Sequence, residues 1–146
     1  MRVPSLGHIV LKVRNRRRAE SFYGGVLEFP IVARNEEFKM TFFSFGDYHH
    51  HFAIIGMGED AEVPGKTSTG LFHAAFSIGD SIEDLREARD MLEANGVETR
   101  TRDHIVTKSL YFNDPDGNPL EFYIESSDQW KTDPEIIGRP GTDIDL

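Results

Sequence analysis

The chain has 146 residues, 38% hydrophobic and 28% charged, which suits one globular domain with a real core. It carries no cysteine, so disulfides and thiolate ligands are excluded together, and any metal must be held by nitrogen and oxygen. A formal net charge of -9 disfavours nucleic acid as a partner, and no run approaches the roughly 20 apolar residues that span a bilayer.

Hydrophobic periodicity predicts a strand over residues 6–13, opened by His8. A short helix is expected over 16–24, with Ala19, Phe22 and Tyr23 on its buried side. The basic residues Arg14, Arg16, Arg17 and Arg18 read as its solvated face. Strands follow over 31–35, 40–45 and 50–55, with Gly46-Asp47 turning before the last. Three histidines, His49, His50 and His51, open that last strand. Alternation puts His50 on a face with Phe52 and Ile54, and His49 and His51 on the other; either set is able to face a site. Residues 57–70 read as a linker. Next come a strand over 71–78, opened by His73, and a helix over 81–95. Asp80 with Glu83 resembles a capping box there, and Gly96 suits the C-terminal glycine position. Strands over 97–101, 109–113 and 120–124 complete the series. The polar tail, residues 126–146, has Trp130, Ile136, Ile137, Ile144 and Leu146 as apolar anchors. It is expected to fold back over the domain or onto a partner subunit.

Both halves therefore read strand-helix-strand-strand-strand, and His8-Ile-Val-Leu-Lys-Val aligns with His73-Ala-Ala-Phe-Ser-Ile. The expected architecture is α+β: one domain over residues 1–146, in which two βαβββ modules (1–56 and 71–125) pair into a cupped mixed β-sheet around a metal site, helices outside. By this repeat the counterpart of Glu121 is expected among His49, His50 and His51.

A single strand histidine is most often structural. Here all six fall at strand starts, in strands or in the loop beside the last hairpin, and none in a helix or the tail. Glu121 sits between Leu120 and Phe122, where an unpaired carboxylate is costly to bury; it is either a solvent-facing strand position or a metal ligand. His8, His73 and Glu121 together suggest a two-histidine, one-carboxylate centre. Asp114-Pro115-Asp116-Gly117-Asn118 is a turn by composition, and it fixes Tyr111 and Glu121 on adjacent strands. Tyr111 is either core or a donor to a substrate oxygen.

At His104, Leu110-Tyr111, Asp114-Pro115, Gly117 and Glu121 the chain resembles the vicinal oxygen chelate superfamily (glyoxalases, bleomycin resistance proteins, dioxygenases). Within it, these residues fit the signature of the type I extradiol ring-cleaving dioxygenases, departing at Arg102, where a small or aliphatic residue is preferred. The resemblance runs from about residue 5 to the end, including Gly141-Thr142-Asp143. It implies that His8, His73 and Glu121 bind Fe(II), or alternatively Mn(II). In the family an acid–base histidine stands three residues before a small residue, and Ala53 selects His50 for that role. His104 and Tyr111 would hydrogen-bond the substrate. The partners implied are a small aromatic diol and O2, with no nucleic acid and no membrane; the single copy of the domain implies a homodimer or larger homo-oligomer. With no disulfides and no signal-peptide core at the N-terminus, a cytoplasmic location is expected. The alternatives on the same fold are a metal-dependent glyoxalase or epimerase, a fosfomycin-type thiol transferase, and a non-enzymatic drug-binding resistance protein suited by the acidic charge. Glyoxalases and epimerases usually place a carboxylate ligand where this chain is expected to offer the histidine triple.

Overall fold

The computed structural model describes residues 2–146 and divides into two compact units, one ending at Thr67 and one beginning at Ser68. The first contains β1 (Ile9–Val13), α1 (Arg16–Glu20), a π-helix (Ser21–Val26), β2 (Ile31–Asn35), β3 (Met40–Phe43) and β4 (Phe52–Gly56). Its sheet runs β1-β4-β3-β2, with β1 parallel to β4 and the other pairs antiparallel. Asn15 starts α1 by accepting the Arg18 N–H on its side chain. The predicted helix over 16–24 changes type after Glu20: the wider π turn is closed by Leu27 N–H donating to the Phe22 carbonyl at 2.9 Å. That register buries Phe22 and Tyr23 side by side. Tyr23 packs 4.9 Å from Phe52, centroid to centroid, and about the same aromatic cluster lie Phe29 and Phe43. Each ring removed from water in this way stabilises the unit by roughly 1.5–3 kcal/mol. Arg16 corrects the reading of a purely solvated basic face. Its guanidinium bonds Glu20, Thr41 and Glu36, and Arg34 closes on Glu20 from the other side.

The second unit contains β5 (Ala74–Gly79), α2 (Ile82–Ala94), β6 (Arg100–Asp103), β7 (Thr107–Asn113), β8 (Pro119–Glu125) and β9 (Thr142–Asp143). Its order is β5-β8-β7-β6-β9, so its first four strands repeat the order of the first unit. The fold is thus mixed α+β, with sheets of four and five strands. Along β8, Leu120, Phe122 and Ile124 are buried together with Leu110 and Phe112 of β7, and α2 adds Leu85 and Leu92. Ser81, not Asp80, caps α2. Its hydroxyl accepts the Asp84 N–H, while the Asp84 carboxylate accepts from Ser81 N–H and Oγ and from Asp80 N–H. The box is therefore one residue later than Asp80 with Glu83. Gly96 follows the helix at φ +75°, the left-handed position expected of it. The tail folds back on this unit: β9 pairs with β6, and Ile136 is buried.

Several strands begin later than the periodicity suggests. His8 and His73 stand one residue ahead of β1 and β5, and His50 and His51 lie in the bend before β4. Matching ladder registers also correct the expected counterpart of Glu121. In the second unit Glu121 lies between Ala75 and Tyr111; in the first, Ala53 lies between Val10 and Phe42. Val10 and Ala75 each follow their histidine by two residues, so Glu121 corresponds to Ala53 rather than to His49, His50 or His51. Among the described residues no helix is long and apolar enough to cross a membrane.

Candidate metal centre

Two donors meet in the second unit. His73 precedes β5, Glu121 lies in the neighbouring β8, and their Nε2 and Oε2 atoms are 2.9 Å apart. Glu121 is only 7% exposed, so its charge needs a cation or several donors beside it. The Nδ1 of His73 is buried with no hydrogen-bond partner, which leaves Nε2 as the working nitrogen of the ring. Two ligands about 2.1 Å from one ion at right angles lie about 3.0 Å apart, so the pair fits adjacent positions on a divalent metal. A nitrogen–oxygen donor set suits Fe(II) or Mn(II). Among the described residues, no group of three His, Asp or Glu is drawn together as a ready-made metal site.

The groups for handling protons lie beside that pair. Tyr111 is directly opposite Glu121 in the β7–β8 ladder, and its ring centroid is 5.8 Å from that of His73. Its hydroxyl is 2.9 Å from Nε2 of His104. Burial, with the Glu121 carboxylate added to it, pushes the Tyr111 phenol up to about 12, against a partial offset from the Ser109 hydroxyl and Arg102. Tyr111 is therefore a neutral donor at any ordinary pH. Below the turn side of the hairpin, Asp114 accepts from the N–H groups of Asp116 and Asn118, and Gly117 takes φ +83°. That segment is scaffolding.

His104 sits at the β6–β7 turn. The next residue, Ile105, has φ +72°, a left-handed conformation that a β-branched side chain rarely adopts. It is pinned by its N–H donating to Asp103 at 2.7 Å and by Ser126 Oγ donating to its carbonyl at 2.8 Å. Lys108 closes on Asp103 at 2.6 Å and holds that carboxyl below its usual range, helped by the Ile105 N–H. Gly141 of the tail lies against the other side of the His104 ring. Of the residues singled out from sequence, the structure brings His104, Tyr111, His73 and Glu121 together; Ile105 and the Gly141 contact were not anticipated. The sequence hint of the latter was the Gly141-Thr142-Asp143 run of the tail.

In the first unit, His8 and His50 meet with ring centroids 4.3 Å apart and planes tilted by 44°, and His50 also meets Phe42 at 5.2 Å. The bend before β4 breaks the alternation, so His50 joins Phe42 instead of sharing a face with Phe52, which packs against Tyr23. Partial burial, then the His8, His49 and His51 rings, lowers the pKa of His50 and favours its neutral form. His51 is occupied by Ser44 and the Phe45 N–H, and exposed His49 lies over Tyr48 and within 2.7 Å of His50. Of the three, His50 lies nearest His8, with His49 next at 6.1 Å between ring centroids.

Two βαβββ units, each with a histidine just ahead of its first strand and one with a carboxylate and phenol opposite each other, define a duplicated-module α+β scaffold. The chain belongs to the Glyoxalase/Bleomycin resistance protein/Dioxygenase superfamily, whose family profile matches residues 5–122. It is 29% identical over 144 residues to "Biphenyl-2,3-diol 1,2-dioxygenase 2" of Rhodococcus globerulus, covering 94% of this chain and 74% of that one. It is 28% identical over 123 residues to "Metallothiol transferase FosB" of Staphylococcus saprophyticus, covering 83% and 77%. A glyoxylase/bleomycin resistance protein/dioxygenase domain from a Frankia species superposes with a TM-score of 0.70 at 20% identity, covering 86% of this chain and 100% of that one.

Proposed function

We propose that the protein is an extradiol ring-cleaving dioxygenase that inserts both atoms of O2 into a catechol-type aromatic diol. The observation that carries this reading is the His104–Tyr111 pair beside the His73–Glu121 pair on neighbouring strands. His73 and Glu121 would be metal ligands and His8 a third, with Fe(II), or alternatively Mn(II), as the ion. When bound, the ion would supply Lewis-acid activation of the diol hydroxyls and a seat for O2. Tyr111, held neutral, would donate its proton towards a substrate oxygen while its own oxygen accepts from Nε2–H of His104, and the two would stabilise oxygen-centred charge. His50, favoured as a neutral imidazole, would take the second diol proton and return one later. The same reading carries a homodimer or larger assembly, which sedimentation would measure.

The glyoxalase alternative is weakened by Ala53, which stands at the position equivalent to Glu121 and has no donor atom. A thiol transferase is the stronger second reading, because the FosB relative aligns over most of the chain. In that reaction His50, His104 and Tyr111 have no evident task. Protein loaded anaerobically with Fe(II) is expected to consume O2 and give a yellow ring-opened product with catechol, 3-methylcatechol or 2,3-dihydroxybiphenyl. Silence across that panel, with Mn(II)- and potassium-dependent thiol transfer instead, would replace the dioxygenase by the transferase.

A further inference from the structure

The imidazole of His104 is bounded along both of its edges. On one, Nε2 meets the Tyr111 hydroxyl at 2.9 Å. On the other, the Gly141 backbone approaches so closely that a Cβ there would stand 2.6 Å from Nδ1, 2.8 Å from Cε1 and 2.9 Å from the Asp103 carbonyl. Only glycine fits without moving the ring. Gly141 is delivered by β9, which lies along β6 with Asp143 opposite Arg102 and Thr142 opposite Asp103. Arg102 fastens this edge twice, donating to the Gly141 carbonyl at 2.5 Å and to the Asp143 carboxylate at 2.9 Å. Arg100 reaches the same carboxylate, Thr101 Oγ1 donates to the Ile144 carbonyl, and Arg89 donates to the Leu146 carbonyl. A two-residue strand has little hold of its own, yet five side-chain bonds locate this one. The turn it abuts is the one strained at Ile105, a conformation that persists only where surrounding structure over-determines it.

We propose that the C-terminal strand is a strap that orients His104, with Gly141 and Arg102 as positioning residues: Gly141 closes the Nδ1 edge of the ring, and Arg102 holds Gly141 there. Arg102 is also the position at which the chain departs from the dioxygenase signature, and both of its side-chain bonds go to the tail. The catalytic consequence rests on reading His104 as a substrate-facing group; the orientation itself does not.

The test is made on full-length protein with 15N-labelled histidine, without substrate, the His104 ring signals being assigned by their loss in His104→Gln. Gly141→Ala forces the ring aside, Arg102→Met unfastens the tail, and Arg102→Lys keeps an ion pair with Asp143. The His104 ring signals are expected to shift or broaden in the first two variants and to return towards wild type in the third. With a diol substrate, kcat should fall by about 10- to 100-fold in Gly141→Ala and Arg102→Met, while KM stays within about twofold. Unchanged His104 signals in both folded variants would overturn the strap. Should Gly141→Ala fail to fold, Arg102→Met in the full chain carries the same expectation and the same refutation. If wild-type protein turns over no diol, the dioxygenase reading fails while the ring signals still decide the strap.

Discussion

Ile105 illustrates how the imidazole proposed to face substrate is presented at the expense of stability. Its left-handed backbone costs on the order of 1–2 kcal/mol for a side chain with a Cβ, and its exposure means that little packing compensates. Ile105→Gly is therefore expected to stabilise the protein, by about 1 kcal/mol after the greater chain entropy of glycine is counted. The denaturation midpoint in urea measures this, and a lower midpoint would show that the turn is unstrained. The same substitution should lower kcat, because the turn that aims His104 would gain freedom. Glu121 is the opposite case: a buried carboxylate whose neighbours are one imidazole and one phenol. Fe(II) or Mn(II) at a hundred times its Kd should raise stability by about 2.7 kcal/mol through binding only the folded state. Glu121→Ala should abolish that increment, and a metal-dependent shift in Tm that survives the substitution would remove Glu121 from the ligand set.

At the scale of elements, α2 offers the clearest separable contribution. Its cap joins Ser81 and Asp84 reciprocally, and Ser81→Ala should cost about 1 kcal/mol, read as a lower urea midpoint with the slope unchanged. The misplaced box has a simple cause. Asp80 with Glu83 and Ser81 with Asp84 both satisfy the pattern, and only the backbone shows that Asp84 faces the N–H groups of Asp80 and Ser81. Strand identity was legible for most of the chain, because β7 and β8 alternate or cluster apolar residues on the two-residue period, whereas β6, Arg-Thr-Arg-Asp, carries no apolar residue. Ends were less legible. Imidazoles flanking β1, β4 and β5 continue an apolar run in composition while standing outside the ladder. The π turn after α1 left no periodic signal, since Phe22 and Tyr23 suit an α-helix equally well. β9, at two residues, is too short for any period. Within the site, chemistry-bearing residues were visible because a buried carboxylate, a phenol and histidines are individually conspicuous. The Gly141–His104 contact joins segments far apart in the chain, and nothing in the order of residues announces it.

Over the whole molecule, the excess of acidic groups makes stability lean on how the carboxylates are paired. Arg34 holds the Glu20 carboxyl below its usual value; Ser81 does so for Asp84, Lys108 for Asp103, and Arg102 and Arg100 for Asp143. A carboxyl lowered in the folded state adds stability that is fully present above its ordinary value, 4.5 for the glutamate and 3.8 for the aspartates. That stability is lost as pH falls through the lower folded values. Urea midpoints should therefore decline gently as pH falls below 6.5, where the lowered His50 favours the unfolded state, and fall steeply below about pH 4, where these carboxyls protonate; a profile with no steep fall down to pH 3 would show that these pairings contribute nothing. The matched ladder registers have a consequence of another kind. A chain that carries the same topology twice holds a redundant copy, and the copies have diverged at equal addresses: Glu121 and Tyr111 in one, Ala53 and Phe42 in the other. One copy carries the carboxylate and the phenol, while the corresponding places in the other are apolar. The carboxylate–phenol pair therefore resides in one copy alone, and what the other copy would bring to the proposed chemistry is the imidazoles of His8 and His50 at the ends of its strands.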